Sequence, residues 1–446
     1  MNEPLFNRRQ LEEHFLKFPH CAPECKTGVE FEKLGVHRNS GKAISYYGNP
    51  GLASLLKQLS EQFGWQTTQE NGHVVGLARG ETLITLEPGG QLELSTSELD
   101  CVHEIEMELK LHLEELKHVS SSAGIAWLGL GLQPVSTLSD IEWIPKSRYS
   151  IMAPHMDRHG RLSHEMMRKT ASIHVCLDYY NEQDFVEKIH LALSLVPFTT
   201  AIFANSPIAE GKLTGFLSTR AHIWQNTDPL RCGMISEAFF DHPTFSSYVE
   251  YALDVPMLFL VRNAVWIDAN NISFRQFMKE GYQGYRATMD DWELHLSSIF
   301  TEVRLRHYLE IRNSDCQRGE LALAPAAFWK GIIYNQQARS AAQSLVQGIS
   351  WKESIDLAVA VAKQGLRARF RDTTVGHIAA ELLRIAHSTL AKASDSGKGQ
   401  VEESHYLEPL MQLVIEDGLC PADVIIKNWL GGWKKSVSKL IEYVSC

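Results

Sequence analysis

Two glutamates stand two residues apart in a segment whose other residues are mostly apolar. Residues 28–35 read GVEFEKLG. Side chains two apart on a β-strand point to the same side, so Glu30 and Glu32 would share one face and Val29 and Phe31 the other. The segment therefore predicts a strand with a buried apolar face and a face that carries two negative charges.

The same arrangement recurs in residues 84–95, which read ITLEPGGQLELS. Glu93 would point away from the face of Leu92 and Leu94. Glu87 would join Glu93 if the Pro-Gly-Gly sequence between them keeps the alternation, because a bulge adds one residue and reverses it. This segment thus predicts a second place where carboxylates gather on one side of a sheet.

Four carboxylates on two short segments predict a metal site. Like charges repel unless a cation lies between them, and carboxylate oxygens suit hard divalent cations such as Mg²⁺ and Mn²⁺. The alternative is a charged sheet face in contact with water, for which each glutamate taken singly needs no explanation. The spacing alone leaves both interpretations open.

Arginines supply the complementary charge for an anionic ligand. They are Arg148 in PKSRY, Arg220 in LSTRAHIW, Arg231 in LRCG, and Arg304, Arg306 and Arg312 in EVRLRHYLEIR. In a strand over residues 301–315, one face would carry Glu302, Arg304, Arg306, Tyr308, Glu310 and Arg312. Such a face is either a solvated ladder of charges or a surface for phosphate and metal.

Glycine-rich nucleotide motifs do not account for an ATP site. Residues 35–43 read GVHRNSGKA, with one residue too many between the glycines for a P-loop and alanine where serine or threonine is needed. Gly129 and Gly131 in WLGLGLQP are not followed by a third glycine that opens a helix, so a dinucleotide fold is excluded as well. Bound ATP would therefore need carboxylate-held metal and arginines.

The composition is that of a large globular protein, with 446 residues, 44% of them hydrophobic, and a formal net charge of −10. This charge disfavours nucleic acid and anionic membranes as partners. We expect a cytoplasmic protein, because no apolar run predicts a transmembrane helix and the N-terminus lacks a signal core. The eight cysteines show no disulfide framework, and His20, Cys21 and Cys25 lack a second half-site for zinc.

The order of the predicted elements indicates an α+β fold with a mainly antiparallel sheet, because strands come first and helices last. Helices are predicted at 4–18, 50–64, 98–123, 182–205, 246–262 and 272–279, and strands at 27–36, 65–95 (a meander), 123–134, 168–180 and 301–315. Residues 148–167 are predicted as a loop or partial helix and 394–404 as a loop. We expect a single domain over 1–446, sheet-rich at about 25–330 and helical at about 331–446.

Several stretches resemble one family in order along the chain. TGVEFEKLG, ITLEPGGQLELS, WLGLGLQP, PKSRYSIM, IFANSPIAEGKLTGFLSTRAHIW, YALDVPM and EVRLRHYLEIR are similar to glutamate–cysteine ligases of the plant and proteobacterial type, in the carboxylate–amine ligase superfamily. The similarity covers about residues 27–330. It implies a curved antiparallel sheet that forms a cavity surrounded by helices, as in the glutamine synthetase catalytic fold.

The resemblance implies ligation of the L-glutamate γ-carboxylate to the L-cysteine amine through a γ-glutamyl phosphate, the first step of glutathione biosynthesis. The implied requirements are ATP and Mg²⁺, with Mn²⁺ as the alternative metal. We expect small-molecule substrates, no nucleic-acid or membrane partner, and a monomer or homodimer.

The resemblance also implies roles for individual residues. The implied metal ligands are Glu30, Glu32, Glu87, Glu93 and Glu310. The implied substrate contacts are Arg148, Arg220, Arg231 and His174, and the ATP contacts are Arg304 and Arg312. Of these, Arg148, Arg220 and Arg312 are expected to take part in catalysis.

Two stretches depart from the usual pattern of the family. Relatives commonly read EHEK where this chain has EFEK at residues 30–33, and Phe31 would lie on the far face, so the metal prediction stands. Relatives often read TVQVNLD where this chain has SIHVCLD, which puts His174 and Cys176 on one face near the expected substrate. The regulatory disulfides of plant members are not carried over.

The departures leave the function open in two respects. The alternatives are a ligase for a different amine in another small-thiol pathway and a catalytically inactive relative that binds ATP.

The base that deprotonates the amine is His174, a carboxylate or bound phosphate. Residues 150–165, with His155, His159 and His164, either cover the site or form an exposed connector, and no regular spacing supports zinc there.

Overall fold

The structure, a computed structural model, describes residues 5, 7–17, 25–270, 272–395 and 402–446. Within these residues helices surround a large antiparallel sheet, which confirms the predicted α+β fold class. Some predictions reach outside the described residues: the ends of the helix at 4–18, His20 and Cys21 of the rejected zinc set, and part of the loop at 394–404.

The described residues contain strands of two to eleven residues. In chain order they are β1 Thr27–His37, β2 Gln66–Glu70, β3 His73–Arg79, β4 Thr82–Leu86, β5 Leu92–Ser95, β6 Ile125–Leu128, β7 Ser172–Leu177, β8 Ile208–Ala209, β9 Lys212–Leu213, β10 Cys232–Gly233, β11 Phe259–Arg262, β12 Val265–Asp268, β13 Phe300–Thr301, β14 Val303–Leu305, β15 Leu309–Asp315, β16 Arg369–Phe370 and β17 Thr373–Thr374.

Helices precede, connect and follow these strands. They are α1 Arg8–Leu16, α2 Leu52–Phe63, α3 Val102–Ser120, α4 Ser147–His159, α5 Ser163–Lys169, α6 Glu182–Ile202, α7 Thr219–Trp224, α8 Glu237–Asp241, α9 Phe245–Asp254, α10 Phe274–Glu280, α11 Met289–Ser297, α12 Ala324–Ile333, α13 Gln336–Leu345, α14 Trp351–Gln364, α15 Val375–Asp395, α16 Glu408–Met411, α17 Pro421–Leu430 and α18 Val437–Val444.

The main sheet of the described chain has nine strands, in the order β14-β15-β7-β1-β5-β4-β3-β2, with β6 beside the second half of β1. All of its pairings are antiparallel. β1 lies near the centre, with Glu30 opposite Ser95 and His174, and Glu32 opposite Glu93. The apolar residues between the two glutamates and beside them are buried, so β1 has the apolar back and charged front that its sequence predicts.

Residues 84–95 form a hairpin instead of one strand with a kink. β4 and β5 pair so that Thr85 lies opposite Glu93, and the turn is closed by a 2.8 Å hydrogen bond from the Gly90 nitrogen to the Glu87 oxygen. Glu87 lies two residues beyond Thr85. Strand pairing, and not continued alternation along one strand, therefore brings Glu87 and Glu93 to the same side.

Residues 301–315 form a hairpin instead of the single strand predicted for them, but the hairpin register keeps Arg304, Glu310 and Arg312 on one face, as the alternation predicts. β14 and β15 are antiparallel, with Arg304 opposite Glu310, and the Arg306 nitrogen donates to the Tyr308 oxygen at 2.9 Å in the turn. The sequence carries no glycine, proline or asparagine at this turn, which is why alternation alone did not locate it.

The helix predicted for residues 246–262 ends early. α9 stops at Asp254, just before Val255 and Pro256, because a proline disfavours the helical conformation at the residue before it. Residues 259–262 form β11, which pairs with β12 in a hairpin that the sequence analysis did not predict.

Residues 148–167, predicted as a loop or partial helix, are mainly helical, in α4 and α5. Nε2 of His155 lies 3.0 Å from Oδ2 of Asp228, whereas Nε2 of His164 lies 3.1 Å from the backbone oxygen of Ala153. These two histidines have separate partners, and the metal-ligand group found among the described residues lies elsewhere. The start of α4 reaches the cavity described below.

α6 connects the sheet to the C-terminal helices. By length and composition it is the one described helix apolar enough to cross a membrane, but 83% of its apolar window is buried inside the protein. It packs against β15, α14 and α15, as a core helix does. This packing supports the single-domain organisation, which stays a prediction.

Two glycines of WLGLGLQP lie where backbones approach closely. A Cβ at Gly129 would lie 2.3 Å from the carbonyl oxygen of Gln317, and one at Gly131 would lie 2.6 Å from Cγ of Asp315. Asp315 in turn accepts hydrogen bonds from the Asn205 nitrogen at 2.8 Å and the Ser206 hydroxyl at 2.6 Å. The glycines therefore allow the segment after β6 to pack against the end of β15.

Replacing Gly129 by alanine should lower the stability of the fold. Overpacking typically costs about 1–3 kcal/mol, so Gly129→Ala should lower the midpoint of denaturant unfolding while leaving its slope unchanged. Gly432→Ala is the matched control, because a Cβ there would meet nothing within 4 Å. Equal midpoints for the two variants would contradict the packing interpretation.

Candidate active site

A cavity of about 300 Å³ lies over the charged face of the main sheet. Its lining includes Glu30, Glu32, Glu87, Glu93, Lys146, Arg148, His174, Arg304, Arg306 and Arg312, with Met152, Met166, Met167, Trp224, Phe259 and Phe300. Four carboxylates and five lysine or arginine side chains thus share one space with an apolar wall. An apolar pocket with a few convergent charged groups is typical of a small-molecule site.

Glu30, Glu93 and His174 form a group of potential metal ligands whose ligand atoms all lie within 4.8 Å of one another. Oε2 of Glu30 is 2.7 Å from Nδ1 of His174, and Oε1 of Glu93 accepts a hydrogen bond from the Thr85 hydroxyl at 3.1 Å. The three side chains come from adjacent strands β1, β5 and β7. Their convergence therefore follows from the register of the sheet.

Glu32 lies beside this group and is held by Ser172. Its Oε2 accepts hydrogen bonds from the Ser172 backbone nitrogen at 2.5 Å and hydroxyl at 2.8 Å. The same hydroxyl lies 2.7 Å from Nε2 of His174. Ser172 thus links Glu32 to His174 and fixes both on the cavity face.

The clustering of carboxylates changes their ionisation. Burial raises the pKa of Glu93 well above its usual range, and the charges of Glu30, Glu87 and Glu32 raise it further. Burial also raises the pKa of Glu32, against the lowering effect of His174. A cation between these side chains would relieve the repulsion that raises the pKa values.

Glu310 lies outside the cavity lining and is fully buried. Arg304 Nε donates to its Oε2 at 2.7 Å, and Arg312 Nη1 pairs with its Oε1. Burial disfavours the charge of Glu310, but Arg304 and Arg312 hold its pKa far below the usual range. Of the five predicted metal ligands, Glu310 is therefore the one that does not line the cavity. It lies on the same face of the sheet, with its Oε1 3.9 Å from Nδ1 of His174, and it orients two arginines.

A bulge in β15 follows Ile311, and Arg312, two residues after Glu310, reaches the cavity by ordinary strand alternation. The register between β15 and β7 shifts between Ile311 and Ser314, so the two residues between them are not paired in the regular way. Arg312 lines the cavity, while Nδ2 of Asn313 donates to the Val196 oxygen of α6 at 3.0 Å. These neighbouring residues reach opposite sides of the sheet, as strand alternation requires.

Arg220 supports this bulge from behind and is not part of the lining. It is 2% exposed, and its Nη2 donates to the Arg312 carbonyl oxygen at 2.6 Å. The Trp224 ring lies against both guanidinium groups, 5.7 Å from that of Arg220 and 5.8 Å from that of Arg312. The sequence analysis missed Trp224, which stands four residues after Arg220 in the LSTRAHIW stretch.

Arg231 is fully buried outside the cavity. Its Nε donates to Oδ2 of Asp228 at 2.8 Å, and its other nitrogens donate to the backbone oxygens of Ser298 and Pro256 at 3.2 and 2.7 Å. The structure therefore does not bring Arg231 together with the other predicted substrate contacts.

Arg148 and Lys146 lie at the start of α4. Nη2 of Arg148 is 3.9 Å from Oε1 of Glu87 and donates to the Tyr149 hydroxyl at 3.0 Å. Nζ of Lys146 donates to the Leu86 carbonyl oxygen at 2.7 Å. Burial, assisted by the charge of Arg148, lowers the pKa of Lys146 to about 8. The sequence analysis missed Lys146, although the PKSRY motif presents two cations at that spacing.

Comparison with known proteins agrees with the family resemblance of the sequence. The sequence profile of Glutamate-cysteine ligase family 2 (GCS2) matches residues 26–439. The chain is 38% identical over 427 residues to glutamate–cysteine ligase A, chloroplastic, of Oryza sativa subsp. indica, covering 95% of this chain and 85% of the relative. It is 37% identical over 432 residues to the chloroplastic glutamate–cysteine ligase of Arabidopsis thaliana, covering 95% and 81%.

A solved structure extends the comparison to the fold. The crystal structure of glutamate–cysteine ligase from Francisella tularensis in complex with AMP aligns with a TM-score of 0.59 at 15% identity, covering 96% of this chain and 88% of that one. At this identity the alignment shows a common fold. The profile match and the plant relatives together show that the chain belongs to glutamate–cysteine ligase family 2.

Proposed function

We propose that this cavity carries out the ATP-dependent ligation of the L-glutamate γ-carboxylate to the L-cysteine amine, the first step of glutathione biosynthesis. The observation that carries the proposal is the convergence of Glu30, Glu93 and His174 with Arg312 in one cavity of a family 2 chain. The plant relatives are glutamate–cysteine ligases, and the Francisella tularensis enzyme was solved with AMP, which supports ATP as the nucleotide.

The donor set fits Mg²⁺ or Mn²⁺. Glu30 and Glu93 offer carboxylate oxygens, Glu32 and Glu87 lie in the same cavity, and His174 adds one imidazole nitrogen. Oxygen donors suit both ions, and an imidazole is more favourable for Mn²⁺ than for Mg²⁺. When bound, such a cation neutralises phosphate charge. We assign these four glutamates as metal ligands. We place His174 next to the metal, and not in contact with the substrate as the sequence analysis expected.

The arginines that share the cavity with Glu30, Glu93 and His174 serve phosphoryl transfer. A carboxylate does not react with an amine at neutral pH because oxide is a poor leaving group, and transfer of the ATP γ-phosphoryl group gives an acyl phosphate and ADP. Arg304 and Arg312 present N–H groups to the charge on the transferred phosphoryl oxygens. Glu310 holds both guanidiniums in place, so it acts by positioning them, and Arg220 positions Arg312 through its backbone carbonyl oxygen.

In the second step the amine nitrogen attacks the acyl carbon. The new C–N bond forms as the C–O bond to phosphate breaks, and phosphate leaves with the electron pair. The attacking amine also loses a proton. His174 is engaged by Glu30 and Ser172, so we propose a cavity carboxylate or the departing phosphate as the proton acceptor.

The other end of the cavity suits the amino-acid parts of the substrates. Arg148 offers a guanidinium to a carboxylate, and Met152, Met166 and Met167 form an apolar wall in the same cavity. Polarisable thioethers pack well against a small thiol side chain. This arrangement supports cysteine as the acceptor.

A second candidate is the same chemistry with another amine. His174 lines the cavity, in the SIHVCLD stretch where the sequence analysis expects a departure from the usual pattern of the family. An ATP-binding protein without turnover is the third possibility to test.

An ADP-release assay with glutamate, Mg²⁺ and a panel of amines separates these functions. We expect ADP release that needs both glutamate and cysteine, with γ-glutamylcysteine identified by mass spectrometry. Faster release with another amine would favour the second candidate. Binding of Mg²⁺·ATP without release by any amine would contradict the ligase function.

Glu93→Gln should abolish ligation and stabilise the metal-free protein. The raised pKa of Glu93 means that its ionisation costs folding stability, a cost that begins above the unfolded-state pKa and is complete above the folded-state pKa. Glutamine removes this cost, so the melting temperature without divalent cation should rise at neutral pH. The further rise caused by Mg²⁺ in the unmodified protein should shrink in the variant, and thermal unfolding with and without Mg²⁺ measures both.

Glu98→Gln is the matched control, because Glu98 is exposed just after β5. It should leave ADP release and both melting temperatures unchanged. If Glu93→Gln releases ADP at the unmodified rate, or keeps the full effect of Mg²⁺, Glu93 is not a metal ligand.

A further inference from the structure

Lys146 carries a charge in the cavity that no neighbouring carboxylate pairs directly. Its Nζ donates to the Leu86 carbonyl oxygen, a neutral acceptor, at 2.7 Å, and no carboxylate of the described chain forms an ion pair with it. Arg304 and Arg312 both contact Glu310, and Arg148 lies 3.9 Å from Glu87. Lys146 therefore differs from these arginines in lacking a counter-ion of its own.

The surroundings of Lys146 make this lack costly. Burial lowers its pKa to about 8, and the more distant charges of Glu87, Glu93 and Glu70 offset this only in part. In the proposed function, Glu87 and Glu93 direct their charge to a metal, which weakens their effect on the ammonium. A buried ammonium without a counter-charge is unfavourable, so an anionic ligand group would stabilise it.

The position of Lys146 argues against the triphosphate of ATP as the anionic group that stabilises it. Leu86, which accepts its hydrogen bond, ends β4, whereas Arg312 lies on β15, and β5, β1 and β7 lie between these two strands in the sheet. With neighbouring strands about 4.8 Å apart, the two places are about 19 Å apart along the sheet. Phosphates held by Arg304 and Arg312 leave the Lys146 end for a different anion.

Arg148 has unused hydrogen-bonding capacity at the same end. Its Nε is buried and has no hydrogen-bond partner among the described residues, and both Arg148 and Lys146 line the cavity. A guanidinium and an ammonium two residues apart match the two oxygens of a carboxylate.

We propose that Lys146, together with Arg148, binds a carboxylate of an amino-acid substrate, so that this end of the cavity selects α-amino acids over amines without a carboxylate. The inference rests on the proposed ligase function and adds a binding residue and a selection rule to it. The carboxylate is the α-carboxylate of either the glutamate donor or the acceptor. The chemistry is the same for both, and the two sources are separated by experiment.

Two pairs of compounds test the proposal, and the two members of each pair differ only in the α-carboxylate. On the acceptor side the pair is L-2-aminobutyrate and propylamine, which also avoids titration of a thiol. On the donor side the pair is L-glutamate and 4-aminobutyrate. The values of kcat/KM for each compound, and inhibition constants where turnover is slow, are compared between the unmodified protein and Lys146→Met.

We expect Lys146→Met to lower kcat/KM, or weaken inhibition, by about 10- to 100-fold for the member of one pair that bears the α-carboxylate. The member without the α-carboxylate should change by less than about twofold, since it lacks the group that contacts the ammonium. A loss confined to the 2-aminobutyrate pair assigns the acceptor, and one confined to the glutamate pair assigns the donor. Equal effects within both pairs, or no effect, would overturn the proposal.

Two further variants guard against misfolding as the cause. Lys146→Arg keeps the charge and should retain most of the preference for carboxylates. Lys169→Met removes a buried lysine that pairs with Glu210 at 3.1 Å outside the cavity lining, so it should leave the preference unchanged while reporting the cost of losing a buried lysine. A loss of preference in Lys169→Met equal to that in Lys146→Met would also count against the proposal.

The test separates this inference from the ligase function. If the unmodified protein turns over no amine, the ligase function fails, and calorimetric binding of the same four compounds to both proteins still compares their carboxylates. Turnover with unchanged carboxylate selectivity in Lys146→Met would reject the role of Lys146 alone.

Discussion

Repulsion among carboxylates gathered on one face of a sheet is the constraint on which the rest of this structure depends. Glu30, Glu32, Glu87 and Glu93 share a cavity, and burial together with their mutual charges raises the pKa of Glu93. Such a group is unfavourable in a fold unless cations balance it. The surrounding structure provides this balance on one side with arginines held by Glu310, and offers on the other a set of donor atoms close enough for a divalent ion.

The sheet makes the gathering possible because its register, more than its loops, sets the positions. β1 pairs with β5 and β7, so side chains from three adjacent strands meet in front of it. Two further features complete the site: the turn after β4 adds Glu87, and alternation along β15 sends Arg312 forward and Asn313 back toward α6. Rigid strands thereby carry Glu30, Glu32 and Glu93, and the turn between β4 and β5 adds a fourth carboxylate.

The order of the predicted elements was enough to predict the fold class, and alternation along short segments was enough to predict the shared face of Glu30 and Glu32. Alternation also predicted the shared face of Arg304 and Arg312, but it did not locate the turn without glycine or proline that divides residues 301–315 into two strands. It also could not reveal which arginines are buried, since the burial of Arg220 and Arg231 depends on residues distant in sequence. Lys146 escaped notice for a similar reason: its place in the cavity follows from where α4 begins relative to β4.

The two ends of the cavity are built from separate parts of the chain. Substitutions near the start of α4 and in the methionine wall can therefore change one end of the cavity without disturbing the strands that carry Arg304 and Arg312. Within such an architecture the lining of one end is able to diversify through changes confined to a short stretch of sequence, while the sheet that carries the carboxylates is kept.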